Sequence, residues 1–486
     1  MDNTIPGERA DRIKRLSALK EAGINPYINK FDKKQTCHDA CELEMGGEVQ
    51  TAGRVMLKRD MGKIAFAQIQ DFTGRIQIVF KIGEIDEEKY KQFTKLVDMG
   101  DFVGVAGTLF TTQKGEISIL VKSWTLLTKS LLPLPEKWHG LTDEEARYRL
   151  RYLDILQSEE LKNLFIKKSK FWEVTRDFMK GHRFLEVETP TLEVTTGGAE
   201  ARPFVTHHND FDIDLYLRIS VGELWQKRLM AASFEKVFEI GRAYRNEGTS
   251  PEHLQEFTNM EFYWAYADYN DGMKLTQELF QKLAQEVFGT TKFATRGHNF
   301  DLAGDWPRIE YREEVKKQTG IDVLTATESE MKSALDGLQV QYEGENRERL
   351  MDTLWKYCRK RIAGPAFLIH HPKLVSPLSK SCADNSELTE RFQIIIAGSE
   401  VGNGFSELND PLDQRARFEL QEKLIARGDA EAMMPDWEFV EMLEHGMPPT
   451  CGFGFGERLF SFLADKPLRE TQLFPLMRPE NKSNNS

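Results

Sequence analysis

The sequence predicts an α+β protein of two domains: an N-terminal five-stranded barrel, then an antiparallel sheet flanked by helices. Three observations carry this. A chain of 486 residues has room for more than one domain and for a large core. Between residues 48 and 127, five short strand-like runs are separated by turn formers, with one helical stretch between the third and fourth. Beyond residue 146, hairpin-like strands recur without the regular βαβ rhythm of a doubly wound parallel sheet.

Composition sets the outer limits. Charged residues make up 29% and hydrophobic residues 40%, an ordinary globular mixture. A net charge of -12 does not advertise nucleic-acid binding, but local basic patches matter more than the sum. The opening MDNTIPGERADR lacks the basic-then-apolar order of a signal peptide, and no apolar run approaches membrane-spanning length. The expectation is a cytoplasmic protein with no membrane contact. Five scattered cysteines argue against a disulfide framework. Cys37, His38 and Cys41 lack a second pair to complete a zinc site, so idle or buried thiols are expected.

Residues 7–22 place Ile13, Leu16 and Leu19 at helical spacing, with Arg9, Arg12, Lys14, Arg15 and Lys20 between them and Gly23 as the stop. The basic residues fit either a solvated face or a phosphate-contacting helix. Strands follow at Val49–Lys58, Lys63–Asp71, Arg75–Lys81, Phe102–Thr111 and Glu116–Leu126, with a helix at Glu84–Asp98. That layout is the oligonucleotide/oligosaccharide-binding (OB) barrel. Phe66 would give such a barrel a stacking ring, and Arg54, Gln68 and Gln77 polar groups, for splayed single-stranded bases. The plainer alternative is that Phe66 belongs to the barrel core. Leu131–His139, with two prolines, reads as a stiff linker. The division is therefore 1–130 for the helix and barrel, 131–145 for the linker, 146–480 for the second domain and 481–486 for a polar, disordered tail.

In the second domain, residues 160–182 are helical by periodicity, and the strand that follows ends at Thr189-Pro190, as an edge strand would. Short strands at 203–207 and 214–219 lead to Glu223 and a helix reaching Ala232. Lys236–Tyr244 and Phe257–Tyr266 form a long hairpin around the turn formers 246–251. Helices are clearest at 272–288, 345–362 and 410–427; strands follow at 366–370, 392–398 and 404–408. The hairpin carries Arg245, Glu247, Glu261 and Tyr263. A guanidinium is a planar fork matched to carboxylate and phosphate oxygens, and rigid strands would hold it still. An ordinary surface ion pair is the alternative. The run Gly452–Leu459 is not a Rossmann turn and no P-loop is present, so a nucleotide would have to be held another way.

Several phrases in order carry a resemblance: LEVETP (185–190), GGAEARPF (197–204), YRNEG (244–248), EFT with MEFYWAYADY (256–269), VGNGFSELND (401–410), GFGFGERL (452–459) and LFPLMRP (473–479). Over nearly its whole length the chain resembles the class II aminoacyl-tRNA synthetases, and among them the lysyl enzymes. The resemblance implies ATP-dependent activation of lysine to lysyl-adenylate, then transfer to the 3′ end of tRNA(Lys). It implies a homodimer formed through the 160–190 helix and strand, and an anticodon-binding role for the barrel. There Phe66 and Gln77 would hold the central anticodon uridine beside Arg54; because Val79 replaces an aromatic, one stacking contact would be either missing or supplied by Phe80.

In the catalytic domain the resemblance gives Arg245 the bridge between amino-acid carboxylate and α-phosphate, and Arg458 the γ-phosphate. Adenine would lie between Phe257 and Arg458, with Glu247 and His253 at its edge and on the phosphates. The glycines before Arg458 would let a helix approach a strand closely. Glu407 and Tyr263 would take the ε-ammonium of lysine, and Glu223, Glu261 and the Gly198 backbone the α-amino end. Asn403 and Phe405 would line the aliphatic stem. Glu400 would meet the Mg²⁺ that accompanies ATP, with the neutral Gln393 in place of a second acid. Further departures are Val221-Gly222 in place of a proline, Glu252 in place of an arginine, and Glu457 in place of an aspartate. Two other readings stay open: an RNA-binding regulator that kept the fold, which would be expected to lose Arg245 or Arg458, and an aspartyl or asparaginyl enzyme, which Glu407 disfavours.

Overall fold

The structure, a computed structural model, describes residues 6–135, 143–198, 201–248, 253–342, 344, 346–426 and 432–480. Part of the expected linker (136–142), part of the hairpin loop including Glu252, and the expected tail lie outside the described residues. The chain divides into two compact units, Met1–Arg147 and Tyr148–Ser486.

The first unit holds a closed five-stranded barrel in the order Glu48–Asp60, Ile64–Gln70, Arg75–Lys81, Ile117–Thr128, Phe102–Thr111. Closure works because the long first strand pairs with the second at one end and with Phe102–Thr111 at the other. Alternation fills the barrel: Ala65, Ala67 and Ile69 point in, while Phe66, Gln68 and Gln70 point out. Helix Glu87–Leu96 closes one end with Tyr90 and Phe93 buried. Asp86 caps its first turn, accepting from the Lys89 N–H at 3.0 Å, and Lys58 Nζ donates to the Thr94 carbonyl at its other end at 2.7 Å.

Two expectations need correction here. Phe80 is fully buried and stacks on Phe93, ring centroids 3.8 Å apart, so it cannot replace an outward aromatic at Val79. The first helix, Pro6–Glu21, turns arginines inward. Arg12 is 3% exposed and donates to the Met99 carbonyl and Ser130 Oγ at 3.0 Å, and Arg15 donates to Asp98 at 2.7 Å, while Ile13 is left outside. Two of the five basic residues are therefore structural; their long stems carry the charge to partners that spacing could not reveal.

The second unit is built on an eight-stranded sheet, in the order Arg308–Glu310, Ala366–Ile369, Arg391–Ile396, Ser399–Ser406, Thr450–Gly456, Glu256–Ala265, Lys236–Tyr244, Leu185–Glu186. It is antiparallel except for the outermost pair at each edge, which is parallel. One face is covered by helices Glu159–Gly181 and Tyr269–Leu283, whose Phe171, Phe178, Leu279 and Phe280 join Met260, Phe262, Phe453 and Phe455 in one core. Phe392 and Phe453 stack within it at 5.6 Å. Each such buried ring contributes roughly 2–3 kcal/mol.

Local chemistry explains the boundaries. Ser158 caps the long helix by accepting from the Leu161 N–H at 3.1 Å, and Asp268 caps the next. The strand pair expected at 392–398 and 404–408 is a tighter hairpin, Arg391–Ile396 with Ser399–Ser406, because Ala397 and Gly398 both adopt positive φ. Between residues 292 and 359 lie a small hairpin and three short helices around Tyr311, Met331, Leu350 and Trp355. Only the last helix was legible, since the others are too short for a clear period. Among the described residues no helix is long and apolar enough to cross a membrane.

Candidate functional site

The sheet face opposite the aromatic core carries a cavity of about 240 Å³. The glycine strand Thr450–Gly456 makes it possible. Its odd positions Cys451, Phe453 and Phe455 are buried in the core, and its even positions are Gly452, Gly454 and Gly456. A Cβ on Gly452 would collide with the Glu407 carboxylate and the Tyr263 ring, and one on Gly454 would come within 2.9 Å of Glu261 Cγ. These glycines make room for acidic side chains, not for a closely approaching helix as expected. Gly452→Ala is expected to crowd the Glu407 end of this cavity and to raise about tenfold or more the KM of the substrate that binds there, leaving that of a substrate bound at the far end unchanged. Steady-state kinetics with each substrate varied checks this.

All thirteen residues singled out in the second domain line this cavity: Gly198, Glu223, Arg245, Glu247, His253, Phe257, Glu261, Tyr263, Glu400, Asn403, Phe405, Glu407 and Arg458. Phe257, Glu261 and Tyr263 alternate along one strand and so share its face. Asn403 and Phe405 do the same on Ser399–Ser406. Gly198 has φ +89 and packs so close to Glu223 that a side chain there would meet Glu223 Oε2 at 2.6 Å.

One end of the cavity is acidic and buried. Glu261 accepts from the Val221 N–H at 2.7 Å, from Asn259 Nδ2 at 3.0 Å and from the Tyr263 hydroxyl at 3.3 Å. Burial, aided by Glu223, pushes its carboxyl up to about 7. Glu407 is 1% exposed; burial pushes it up to about 8, against the pull of Lys227. Its Oε1 has no hydrogen-bond donor. The extra residue in Val221-Gly222 is absorbed by Gly222, which takes φ +68 at the start of helix Glu223–Ala231. That turn delivers the Val221 N–H to Glu261. Lys227, one turn after Glu223, was missed. It is 1% exposed, with Nζ 2.8 Å from Glu223 and 2.6 Å from Glu407. The Glu-x-x-x-Lys spacing on a helix was the available signal.

The other end is cationic. Arg245 Nε donates to the Ile219 carbonyl at 3.2 Å, and its guanidinium lies 5.2 Å from the Phe257 ring centre. Arg458 Nη1 donates to the Glu400 carbonyl at 3.0 Å. His253 is exposed at the rim. Glu457 is 1% exposed and accepts from Lys168 Nζ at 2.7 Å and the Thr258 N–H at 2.8 Å, and also from Gln472. Burial opposes its charge, but Lys168 and these hydrogen bonds outweigh it and hold the carboxyl below its ordinary range. The longer glutamate thus ties the glycine strand to helix Glu159–Gly181.

Glu400 Oε1 accepts from Trp355 Nε1 at 2.9 Å and pairs with Arg359 at 3.0 Å, and Oε2 accepts from Gln393 at 3.0 Å. Gln393 gives its amide oxygen to His371 at 3.1 Å and does not line the cavity. One carboxylate, with one oxygen only singly engaged, suits a cation that arrives already on phosphate oxygens; it does not make a cage. Among the described residues no group of three or more acidic, His or Cys side chains could hold a metal alone.

In the barrel unit, Arg54, Phe66 and Gln77 lie on neighbouring strands. Phe66 is half-buried and outside the core, on the same outward face as Gln68. Gln68 sits opposite Gln77, whose Nε2 donates to Ser118 Oγ at 2.9 Å. Arg54 lies 4.4 Å from the centre of the Phe102 ring. Cys37 is in the barrel core, and burial, with Asp71 nearby, pushes its thiol up to about 12.

Residues 143–478 match the family described as tRNA synthetases class II (D, K and N), and residues 49–127 match the OB-fold nucleic acid binding domain. A protein of Thermotoga maritima named lysine–tRNA ligase is 45% identical over 483 residues, 97% of this chain and 96% of the relative. One of Moorella thermoacetica with the same name is 45% identical over 97% of this chain and 98% of its own length. A third, of Pelotomaculum thermopropionicum, is 44% identical over 96% and 94%.

Proposed function

We infer that this chain, which belongs to the class II tRNA synthetases and within them to the lysine–tRNA ligases, carries out both steps of lysyl-tRNA formation in the cavity described above. In the first step a lysine carboxylate oxygen attacks the α-phosphorus of ATP, the α–β phosphoanhydride bond breaks, and pyrophosphate leaves. In the second, a terminal ribose hydroxyl of tRNA(Lys) attacks the adenylate carbonyl and AMP leaves. Arg245 belongs to the cationic end, where its charge would bring the two anions together, and positioning with fixed charge supplies most of the rate. Arg458, Phe257, Glu247 and His253 hold the ATP end. Glu407 and Tyr263 take the ε-ammonium; Glu223, Glu261 and the Gly198 backbone take the α-amino group; Asn403 and Phe405 flank the stem. Glu400 meets the Mg²⁺ that ATP brings, which neutralises phosphate charge, and Gln393 adds no second carboxylate.

The observation that carries this reading is the buried acidic end, with one Glu407 oxygen lacking a hydrogen-bond donor. It suits a side chain that ends in a cation and leaves an aspartate carboxylate without a counter-charge. ATP–pyrophosphate exchange with each of the twenty amino acids tests it: exchange with lysine alone is expected, and exchange with aspartate or asparagine in its place would overturn it. Retention of both Arg245 and Arg458 favours catalysis over a purely regulatory role.

The barrel is read as the anticodon-binding surface. Phe66→Ala is expected to weaken tRNA(Lys) about 10- to 100-fold, since a stacked base is worth about 1–3 kcal/mol, while leaving lysine-dependent exchange unchanged. Aminoacylation with tRNA varied, beside exchange without tRNA, checks it. The exposed edge at Leu185–Glu186 supports a homodimer, for which sedimentation at twice the chain mass is the measurement. Work on tRNA and ATP supports a cytoplasmic location.

A further inference from the structure

We propose that Lys227 is a positioning and specificity residue of the amino-acid pocket: its buried ammonium holds Glu223 and Glu407 in place and sets the charge that the incoming side chain must complete. This deepens the functional reading above and rests on it.

Lys227 does not line the cavity; it stands behind its wall. Its Nζ lies 2.8 Å from Glu223 Oε1 and 2.6 Å from Glu407 Oε2, which joins the carboxylate assigned to the α-amino end to the one assigned to the ε-ammonium. The stem runs among aromatic rings, with Nζ 5.3 Å from the Phe405 centroid, 5.7 Å from Phe439 and 5.9 Å from Tyr263. The side chain is 1% exposed, and among the described residues the carboxylates paired with its ammonium are these two. Burial opposes its charge, yet Glu223 and Glu407 outweigh that and hold it above its ordinary range.

Charge balance then makes a selection. The amino-acid end of the cavity holds three carboxylates, Glu223, Glu261 and Glu407, against Arg245 and, behind the wall, Lys227, so full ionisation there leaves one negative charge unmatched. Lysine, with two ammonium groups and one carboxylate, matches it. A neutral amino acid does not, and aspartate adds to it. Without Lys227 the unmatched charge doubles. Glu407, already pushed up by burial, would hold its proton to higher pH and stop pairing with a substrate ammonium. The other titratable groups facing it are Tyr263 and Cys451, both held neutral by burial with the nearby carboxylates.

The test is Lys227→Met, an unbranched replacement that suits the aromatic surroundings. KM for lysine in exchange is expected to rise roughly 30-fold or more, as for a truncated buried charge pair. The kcat and the KM for ATP are expected to stay within about threefold, because Lys227 reaches ATP through no group. The acidic limb of kcat/KM for lysine should move up by about one pH unit, a change that lost packing alone would not produce. Lys227→Arg keeps the charge and should keep the limb in place, whatever it does to KM. An unchanged lysine KM with an unmoved limb in Lys227→Met would overturn the proposal. If that variant does not fold, a limb displaced as far in Lys227→Arg overturns it equally. Wild-type protein that fails to exchange with lysine would sink the functional reading itself, a separate outcome.

Discussion

Replacing Arg245 with alanine is expected to lower lysine-dependent ATP–pyrophosphate exchange about a thousandfold, with the fold intact. The obstacle to the first step is that a carboxylate and a phosphate repel each other. Arg245 is fixed at the end of strand Lys236–Tyr244, where its N–H reaches the Gln255 carbonyl at 2.9 Å. Its Nε is held by the Ile219 carbonyl, and the residue lines the cavity. The charge is therefore in place before substrate arrives and costs no reorganisation during the reaction. Lysine at this position would keep the charge and lose the planar fork, so Arg245→Lys should recover only part of the rate. Exchange kinetics with melting curves decide it; exchange within tenfold of wild type in a folded alanine variant would remove Arg245 from the mechanism.

Glu407→Gln should raise the KM for lysine by about 10³-fold, because the change leaves a substrate ammonium buried without its counter-charge. The wild-type pH profile should show the same carboxylate. Burial lifts Glu407 to about 8 and Glu261 to about 7 in the unliganded chain. Both are raised acids, so the stability they contribute is fully present below the unfolded value near 4.5. It is lost as pH rises through about 7 and 8. Lysine binding needs the charged forms, so kcat/KM for lysine should climb from pH 6 to about 8 and then level off. Added lysine should accordingly raise Tm more at pH 8 than at pH 6. In Glu407→Gln most of that climb should vanish. A flat wild-type profile across this range would contradict the assignment of Glu407.

What the sequence showed and what it hid divide along physical lines. Strand alternation and turn formers are local properties and laid out the hairpin that carries Arg245, Glu261 and Tyr263; Glu407 was marked by the resemblance alone, and the structure brings all four to one cavity. The barrel strands were legible for the same reason. Side-chain direction over a long stem was not: Arg12 fitted a solvated face or a phosphate contact and Lys227 drew no notice, yet both are buried on partners remote in sequence or one helix turn away. Phe80 was misplaced because an aromatic beside an outward position turns inward in a strand. The glycines of Thr450–Gly456 were noticed, but their purpose depends on Glu407 and Tyr263 from other strands. The helices at 311–337 were too short to announce themselves.

Strand Glu256–Ala265 has one more implication. Phe257, Asn259, Glu261 and Tyr263 stand on one face at every second residue and all line the cavity, Phe257 where adenine is proposed to lie and Glu261 and Tyr263 where lysine is. The last two positions are not independent, because the Tyr263 hydroxyl reaches back along the strand and donates to Glu261 at 3.3 Å. Whatever draws that hydroxyl forward takes a hydrogen bond from the carboxylate behind it, so occupation of one position is registered at the other. Neighbouring rungs of a rigid strand thus behave as a single jointed part.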